Sequence, residues 1–401
     1  MAIICFNYKN ANFALQFREF KKKELGRAYN FNHFTFCQNI NKMSNQKKSG
    51  LDINLGNLCS KDAFNWAKKT FPNRTNKAGA AALKVDGVFS NMLQFADQRI
   101  GIASDGIGTK IELAERTGIY DTLGFDLVAM VADDLATAGF EPTNISNIID
   151  VNKLDRAIIN SLMKGLAEAC DYCGMSISGG EIAELGNRIS GYGAGMHFNW
   201  CSTAIGILPT ELEKPFDGTA VQPGDKVIAL KADGFRSNGF SLVRRVVEAS
   251  FGDTWHNEIY EGDQTWGEVL LTPSLIYTPV ITKMIHSGVQ LSGVAHITGG
   301  GLIDNFQRVL KANSVGANLD NLFEPLPVMK RLMALGNVAA EDAYLYWNMG
   351  NGMLLVAKEN QVDQIIEITK ALGYQAQVAG TITAERKVTL KTASAELEGT
   401  Y

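Results

Sequence analysis

From about Leu51 onward, short apolar or alternating runs are interleaved with runs whose apolar positions recur every three or four residues. Such interleaving predicts strands and helices laid down in layers, an α/β protein. The clearest helix lies in Leu154 to Cys170, where Leu154, Ile158, Leu162 and Leu166 make one stripe, and it leads into a strand at Met175 to Ser178. A second helix is predicted over Asp121 to Gly139. There Leu127, Val131 and Leu135 share a face, Asp126 and Asp133 fall opposite, and Asp134 sits on the flank. On that wheel Asp126 and Asp133 belong to a solvated side, while Asp134, at the margin of the stripe, is either a better candidate for a cation than those two or an ordinary charge on the helix surface. The turn-rich Gln222-Pro223-Gly224-Asp225 precedes a new apolar run, Val227 to Leu230, and sets a domain boundary at about 210 to 222.

Composition narrows the picture. A chain of 401 residues exceeds what one core usually supports, so two domains are expected, over 43–212 and 213–392. Residues 1–42 carry seven Lys or Arg against two Glu and read as an appended basic segment ahead of Met43. No apolar run approaches the roughly 18 residues of a membrane span. The net charge of -4 argues against a nucleic-acid binder, which needs an excess of cations. Six scattered cysteines form no paired framework and fit a reducing, cytoplasmic setting; the CxxC at Cys170 and Cys173 has no second pair to make a zinc site.

Four segments carry candidate chemistry. In Ser104-Asp105-Gly106-Ile107-Gly108-Thr109-Lys110 a strand-like run ends in a carboxylate, two glycines and a cation, a pattern for a phosphate and its metal, though without the P-loop spacing. Ser178-Gly179-Gly180-Glu181 again joins glycines to a carboxylate, and Glu181 with Asp105 and Asp134 gives three hard oxygen donors for Mg²⁺. His296-Ile297-Thr298-Gly299-Gly300-Gly301 opens a helix with apolar Leu302, Phe306, Val309 and Leu310; its amides suit an anion, while a lone His such as His296 is more often structural. Between them, Arg236-Ser237-Asn238 follows a strand, and its polar groups either meet a ligand or cap the next helix.

Eight motifs in register resemble the aminoimidazole ribonucleotide synthetase family over most of residues 50 to 390: GLDINLGN at 50–57, SDGIGTK at 104–110, DTLGFDLVAMVADDL at 121–135, SGGE at 178–181, RSNGFSLVRR at 236–245, LLTPSLIY at 270–277, AHITGGGLIDNFQRVL at 295–310 and WNMGNGM at 347–353. The resemblance implies a homodimer of two-domain α/β chains whose N-terminal sheets form a barrel between subunits. It also implies ATP-dependent closure of the imidazole ring of formylglycinamidine ribonucleotide. By motif position, Asp105, Asp134 and Glu181 bind Mg²⁺, with Asp105, Lys110 and Asp134 as the catalytic set. Gly106, Gly108, Thr109, Gly179 and Gly180 join them around ATP. Arg236, Ser237, Asn238, Thr298, Gly299, Gly300 and Gly301 would meet the nucleotide substrate. Arg236 stands where the family often has His, and is expected to face the cleft and grip a phosphate; Phe64 stands where a family Lys falls. Rival readings are a sibling such as thiamine-monophosphate kinase, selenophosphate synthetase or the hydrogenase-maturation enzyme, or an inactive nucleotide-binding paralogue.

Overall fold

Two mixed sheets, each paired with helices, make up the two halves of the chain. The computed structural model describes residues 53–81, 89–393 and 395–401, so the appended segment 1–42 lies outside the described residues. An N-terminal helix α1 (Ile53–Lys68) precedes the first sheet, of β1 (Ala80–Ala81), β2 (Asn91–Phe95), β3 (Gln98–Gly106), β4 (Glu141–Val151), β5 (Ser176–Glu184) and β6 (Phe198–Ile207). Its order is β1-β2-β3-β6-β4-β5, with only β4 and β5 parallel. The helices here are α2 (Ile111–Thr117), α3 (Leu123–Thr137) and α4 (Arg156–Cys173). Helix α4 begins where Asp155 accepts hydrogen bonds from the amides of Ala157 and Ile158, a helix cap that starts the predicted stripe.

The second half contains β7 (Lys226–Lys231), α5 (Phe240–Phe251), the short pair β8 (Ile259–Glu261) and β9 (Gln264–Thr265), α6 (Trp266–Leu270), α7 (Thr278–His286) and β10 (Leu291–His296). It continues with α8 (Gly301–Leu310), β11 (Gly316–Leu319), α9 (Pro327–Gly336), α10 (Ala340–Tyr346), β12 (Asn351–Ala357), α11 (Val362–Ala371), β13 (Ala376–Thr383), β14 (Lys387–Lys391) and β15 (Glu396–Thr400). Seven of these strands form the second sheet in the order β10-β12-β7-β13-β11-β14-β15. The inner strands β7 and β12 are largely apolar on both faces, as expected where each face is covered, and the edge strand β10 beside β12 is buried along its whole length.

Helix α3 decides how the halves meet. It lies on β3 and β6 of the first sheet and also packs against α4, α7 and β10. Of its 15 residues only Phe125 and Asp134 escape full burial. Its contact with α4 is so close that a Cβ on Gly124 would stand 2.1 Å from the Gly165 carbonyl carbon, so both glycines are required by the approach. This corrects the helical-wheel expectation: Asp126 and Asp133 are not on a solvated side but fully buried. The side opposite the first sheet is covered by the second half of the chain, which a local wheel does not contain.

The first sheet has an inner face toward α3 and an outer face with no cover among the described residues. Residues Ala103, Asn147, Trp200, Ser202 and Ala204 are buried on the inner face. The outer face presents Phe95, Ile148, Ile205 and Ile207, each 39 to 51% exposed.

Candidate active site at the junction of the two halves

Asp105 stands on the inner face at the end of β3, opposite Ser202 of β6, and accepts a hydrogen bond from the Gly106 amide at 2.7 Å. Burial and the neighbouring Asp134 carboxylate push its pKa up to about 6, against the pull of that amide. Asp134 leaves α3 toward the same place. Burial raises it to about 7, although Arg308 and Arg236 pull the other way. Asp105 itself stays open to solvent, so the pair can be reached from outside.

Behind Asp134 runs a buried chain. Its Oδ1 lies 2.7 Å from His296 Nδ1, at the end of β10. His296 Nε2 is 2.8 Å from Arg236 Nη2, which also donates to Asp133 Oδ2 at 2.7 Å. Arg236 Nη1 donates to the Leu275 carbonyl at 2.7 Å. The amides of Tyr277 and Thr278 hold Asp133 Oδ1, each at 2.8 Å. His296 is held neutral, its pKa pushed down to about 3 by burial and by Arg236. Arg236 is thus placed differently from the expectation: it neither faces the cleft nor lies exposed, but is 1% accessible, as an interior guanidinium needs when a carboxylate is there to match it.

Lys110 departs as well. It is fully buried, and its ammonium donates to Asp126 Oδ1 at 2.8 Å and to the Thr272 carbonyl at 2.6 Å. Ser274 donates to the same Asp126 oxygen from its amide and hydroxyl. Burial lowers the Lys110 pKa and raises that of Asp126, each offset by the other's charge. Lys110 therefore ties the SDGIGTK segment to the second half and is not free to meet a phosphate.

Glu181 does not join Asp105 and Asp134. Strands β6 and β4 separate β3 from β5, about 14 Å at the usual strand spacing. A bulge adds Ser178 between the pairs Ile145–Ile177 and Ser146–Gly179, so Glu181 comes to lie beside Ile148 on the outer face. Gly180 falls beside Asn147 on the inner side, where a Cβ would stand 2.6 Å from the Asn147 carbonyl oxygen. Among the described residues no three His, Cys, Asp or Glu side chains converge as a metal cluster, so the expected triad of Asp105, Asp134 and Glu181 is reduced to its first two members within one chain.

The loops of the second half close on this pair. Gly108 and Thr109 remain exposed beside Asp105. The Ser237 hydroxyl is buried without a partner among the described residues, and the Asn238 side-chain oxygen lies 3.6 Å from where a Cβ on Gly299 would stand. One Asn305 amide binds the carbonyls of Thr298, Gly299 and Gly301 at 2.7 to 3.2 Å, which fixes the glycine turn before α8. Gly301 is demanded by packing, because a Cβ there would fall 1.9 Å from the Tyr344 carbonyl oxygen. Sequence reasoning missed Arg308, two turns into α8. Its guanidinium lies 5.0 Å from the Phe89 ring centroid and close enough to perturb Asp134, with no hydrogen-bond partner among the described residues. The only signal for it was its place within the motif at 295–310.

Loops from both halves thus surround one carboxylate pair, and both halves match known families. The family model described as "AIR synthase related protein, N-terminal domain" matches residues 77–208, and "AIR synthase related protein, C-terminal domain" matches residues 222–392; the chain belongs to the AIR synthase related family. Its similar relatives are narrower in kind. The chain is 33% identical over 346 residues to the phosphoribosylformylglycinamidine cyclo-ligase of Brevibacillus brevis, covering 85% of this chain and 96% of that one. It is 37% identical over 289 residues to the protein of the same name from Carboxydothermus hydrogenoformans, covering 71% and 81%. Among solved structures, a HypE-HypF complex aligns with TM-score 0.57 at 16% identity over 80% of this chain and 96% of that one. AaThiL complexed with AMPPCP and TMP aligns with TM-score 0.53 at 13% identity over 79% and 92%. These two share the two-domain α/β fold.

Proposed function

We propose that the protein is a cytoplasmic phosphoribosylformylglycinamidine cyclo-ligase that uses ATP to close the imidazole ring of formylglycinamidine ribonucleotide, releasing ADP and phosphate. The observation that carries this reading is the Asp105–Asp134 pair at the junction of the halves, in a chain whose relatives bear that name over most of their length. The elevated carboxyls fit Mg²⁺, and Asp105 and Asp134 would hold it. Bound there, the ion would neutralise charge on the triphosphate. Exposed Thr109, the amides around Gly106 and Gly108, and Arg308 would take phosphate oxygens. Ser237, Asn238 and the Thr298 to Gly301 turn would orient the substrate.

The chemistry needs positioning more than proton transfer. A formamide oxygen leaves poorly; transfer of the γ-phosphoryl group to it makes a good leaving group, the amidine nitrogen attacks the activated carbon, and phosphate departs. Residues that hold two substrates in line and screen negative charge are what this junction supplies.

A homodimer through the outer face of the first sheet belongs to the same proposal. Phe95, Ile148, Ile205 and Ile207 give that face the apolar character a second copy would cover. Mixing the purified protein with ATP, Mg²⁺ and formylglycinamidine ribonucleotide should yield aminoimidazole ribonucleotide and ADP in equal amounts. ADP without the imidazole product would overturn the assignment.

A further inference from the structure

Of the chain from Asp133 through Arg236 and His296 to Asp134, only Asp134 enters the chemistry above, and the atoms of the chain permit one arrangement of protons. A guanidinium carries N–H donors and no acceptor. Its Nη2 lies 2.8 Å from His296 Nε2, so that nitrogen accepts. The imidazole proton then sits on Nδ1 and is donated to Asp134 Oδ1 at 2.7 Å. At the far end Asp133 binds Arg236 Nη2 with one oxygen, while its other oxygen takes the Tyr277 and Thr278 amides. Asp133 and His296 are wholly buried. The chain surfaces only at Asp134, whose side chain is 19% exposed and whose Oδ2 has no hydrogen-bond partner among the described residues.

Arg236 adopts φ of 60°, a left-handed backbone that a residue other than Gly rarely holds. Its contacts to Leu275, Asp133 and His296 over-determine the side chain and hold that conformation. The consequence is mechanical. Arg236 heads the loop that carries Ser237 and Asn238, and His296 precedes the Thr298 to Gly301 turn, so the two loops of the second half reach Asp134 of the first half through two hydrogen bonds.

We propose that Arg236 is a positioning residue: by fixing His296 with its proton on Nδ1, it clamps one oxygen of Asp134 and presents the other to the metal–nucleotide. This rests on the reading of Asp105 and Asp134 as that site. An ordinary structural ion pair would steady the fold and leave the affinity of Asp134 for its ligand untouched.

The two roles separate in the full-length protein. Nitrogen-15 spectra of the ligand-free protein should show His296 protonated on Nδ1, with the resonance identified by its loss in His296→Asn. The double variant Asp133→Asn/Arg236→Met strands no charge and leaves Nε2 without its donor, so the ring should lose its fixed orientation and the Nδ1–H resonance should broaden. Binding of Mn²⁺ with ADP, followed by electron paramagnetic resonance, should weaken by about 10–100-fold in the double variant and in His296→Leu. His296→Asn, whose amide can stand in for Nδ1–H, should recover most of that loss. A wild-type His296 protonated on Nε2, or wild-type Mn²⁺–ADP affinity in His296→Leu, would overturn the proposal even if the double variant failed to fold. Asp134→Asn is the control for the underlying site: unchanged binding there would sink the site itself, whereas loss there with none in His296→Leu would sink only the positioning role.

Discussion

Lys110→Met offers the sharpest contrast between a ligand contact and an internal tie. The substitution keeps most of the aliphatic stem and removes the charge. Both side chains of the Lys110–Asp126 pair are 0% exposed, at 2.8 Å, and Asp126 Oδ2 already has no partner among the described residues. Breaking a buried pair from one side strands the other charge, a loss of about 3–5 kcal/mol. For a unit spanning Ser49–Tyr401, unfolding entropy at about 2.1 cal/mol/K per residue turns that into a fall in melting temperature of about 4–7 °C. Calorimetry on the ligand-free protein measures it directly. Lys110→Met/Asp126→Asn removes both charges and should regain more than half of the loss. Were Lys110 instead a phosphate contact, the ligand-free melting temperature would stay put and the KM for ATP would rise; that result would refute the burial argument.

Three further outcomes follow from the same geometry. Asp105 and Asp134 titrate near 6 and 7 rather than at the ordinary 3.8, so the folded protein holds protons that the unfolded chain has released. Ligand-free stability should therefore fall as pH rises through 6 to 7, and Asp134→Asn should flatten that slope in melting curves taken across the range; a slope that survives would dissociate it from this pair. Gly301→Ala, with φ of 70° and a Cβ 1.9 Å from the Tyr344 carbonyl oxygen, should cost at least about 2 kcal/mol. Gly299→Ala, whose nearest neighbour would be 3.6 Å away, should melt like the wild type, and equal effects of the two in denaturant titrations would contradict this packing. On the outer sheet face, Ile205→Arg should convert a dimer to a folded monomer by light scattering; a dimer that persists would move the interface elsewhere.

The layered elements, the α4 stripe, the break before β7 and the glycine turn ahead of α8 could be read in the sequence because each is set by neighbours within a few residues. The places of Asp105 at a strand end and of Asp134 on a helix flank were also readable, being set by the local pattern. Other roles were hidden for particular reasons. Lys110 meets a carboxylate 16 residues on and a carbonyl 162 residues away, and Arg236 meets Asp133 across 103 residues, so neither pairing has a local signature. Glu181 changes face because Ser178 bulges. Nothing in Ser-Gly-Gly-Glu distinguishes a bulged strand from a regular one, yet one added residue reverses every side chain beyond it.

Helix α3 makes the two family-sized halves inseparable in practice. Its sequence falls wholly within the first, but Asp126 and Asp133 find their partners at Ser274, Tyr277, Thr278 and Arg236, all in the second. A gene fragment cut at the boundary would encode a helix with two carboxylates and an apolar flank left bare to water. Such a fragment should be insoluble by itself and regain solubility when the other half is made in the same cell, which makes α3 the natural handle for a split-protein reporter built on this fold.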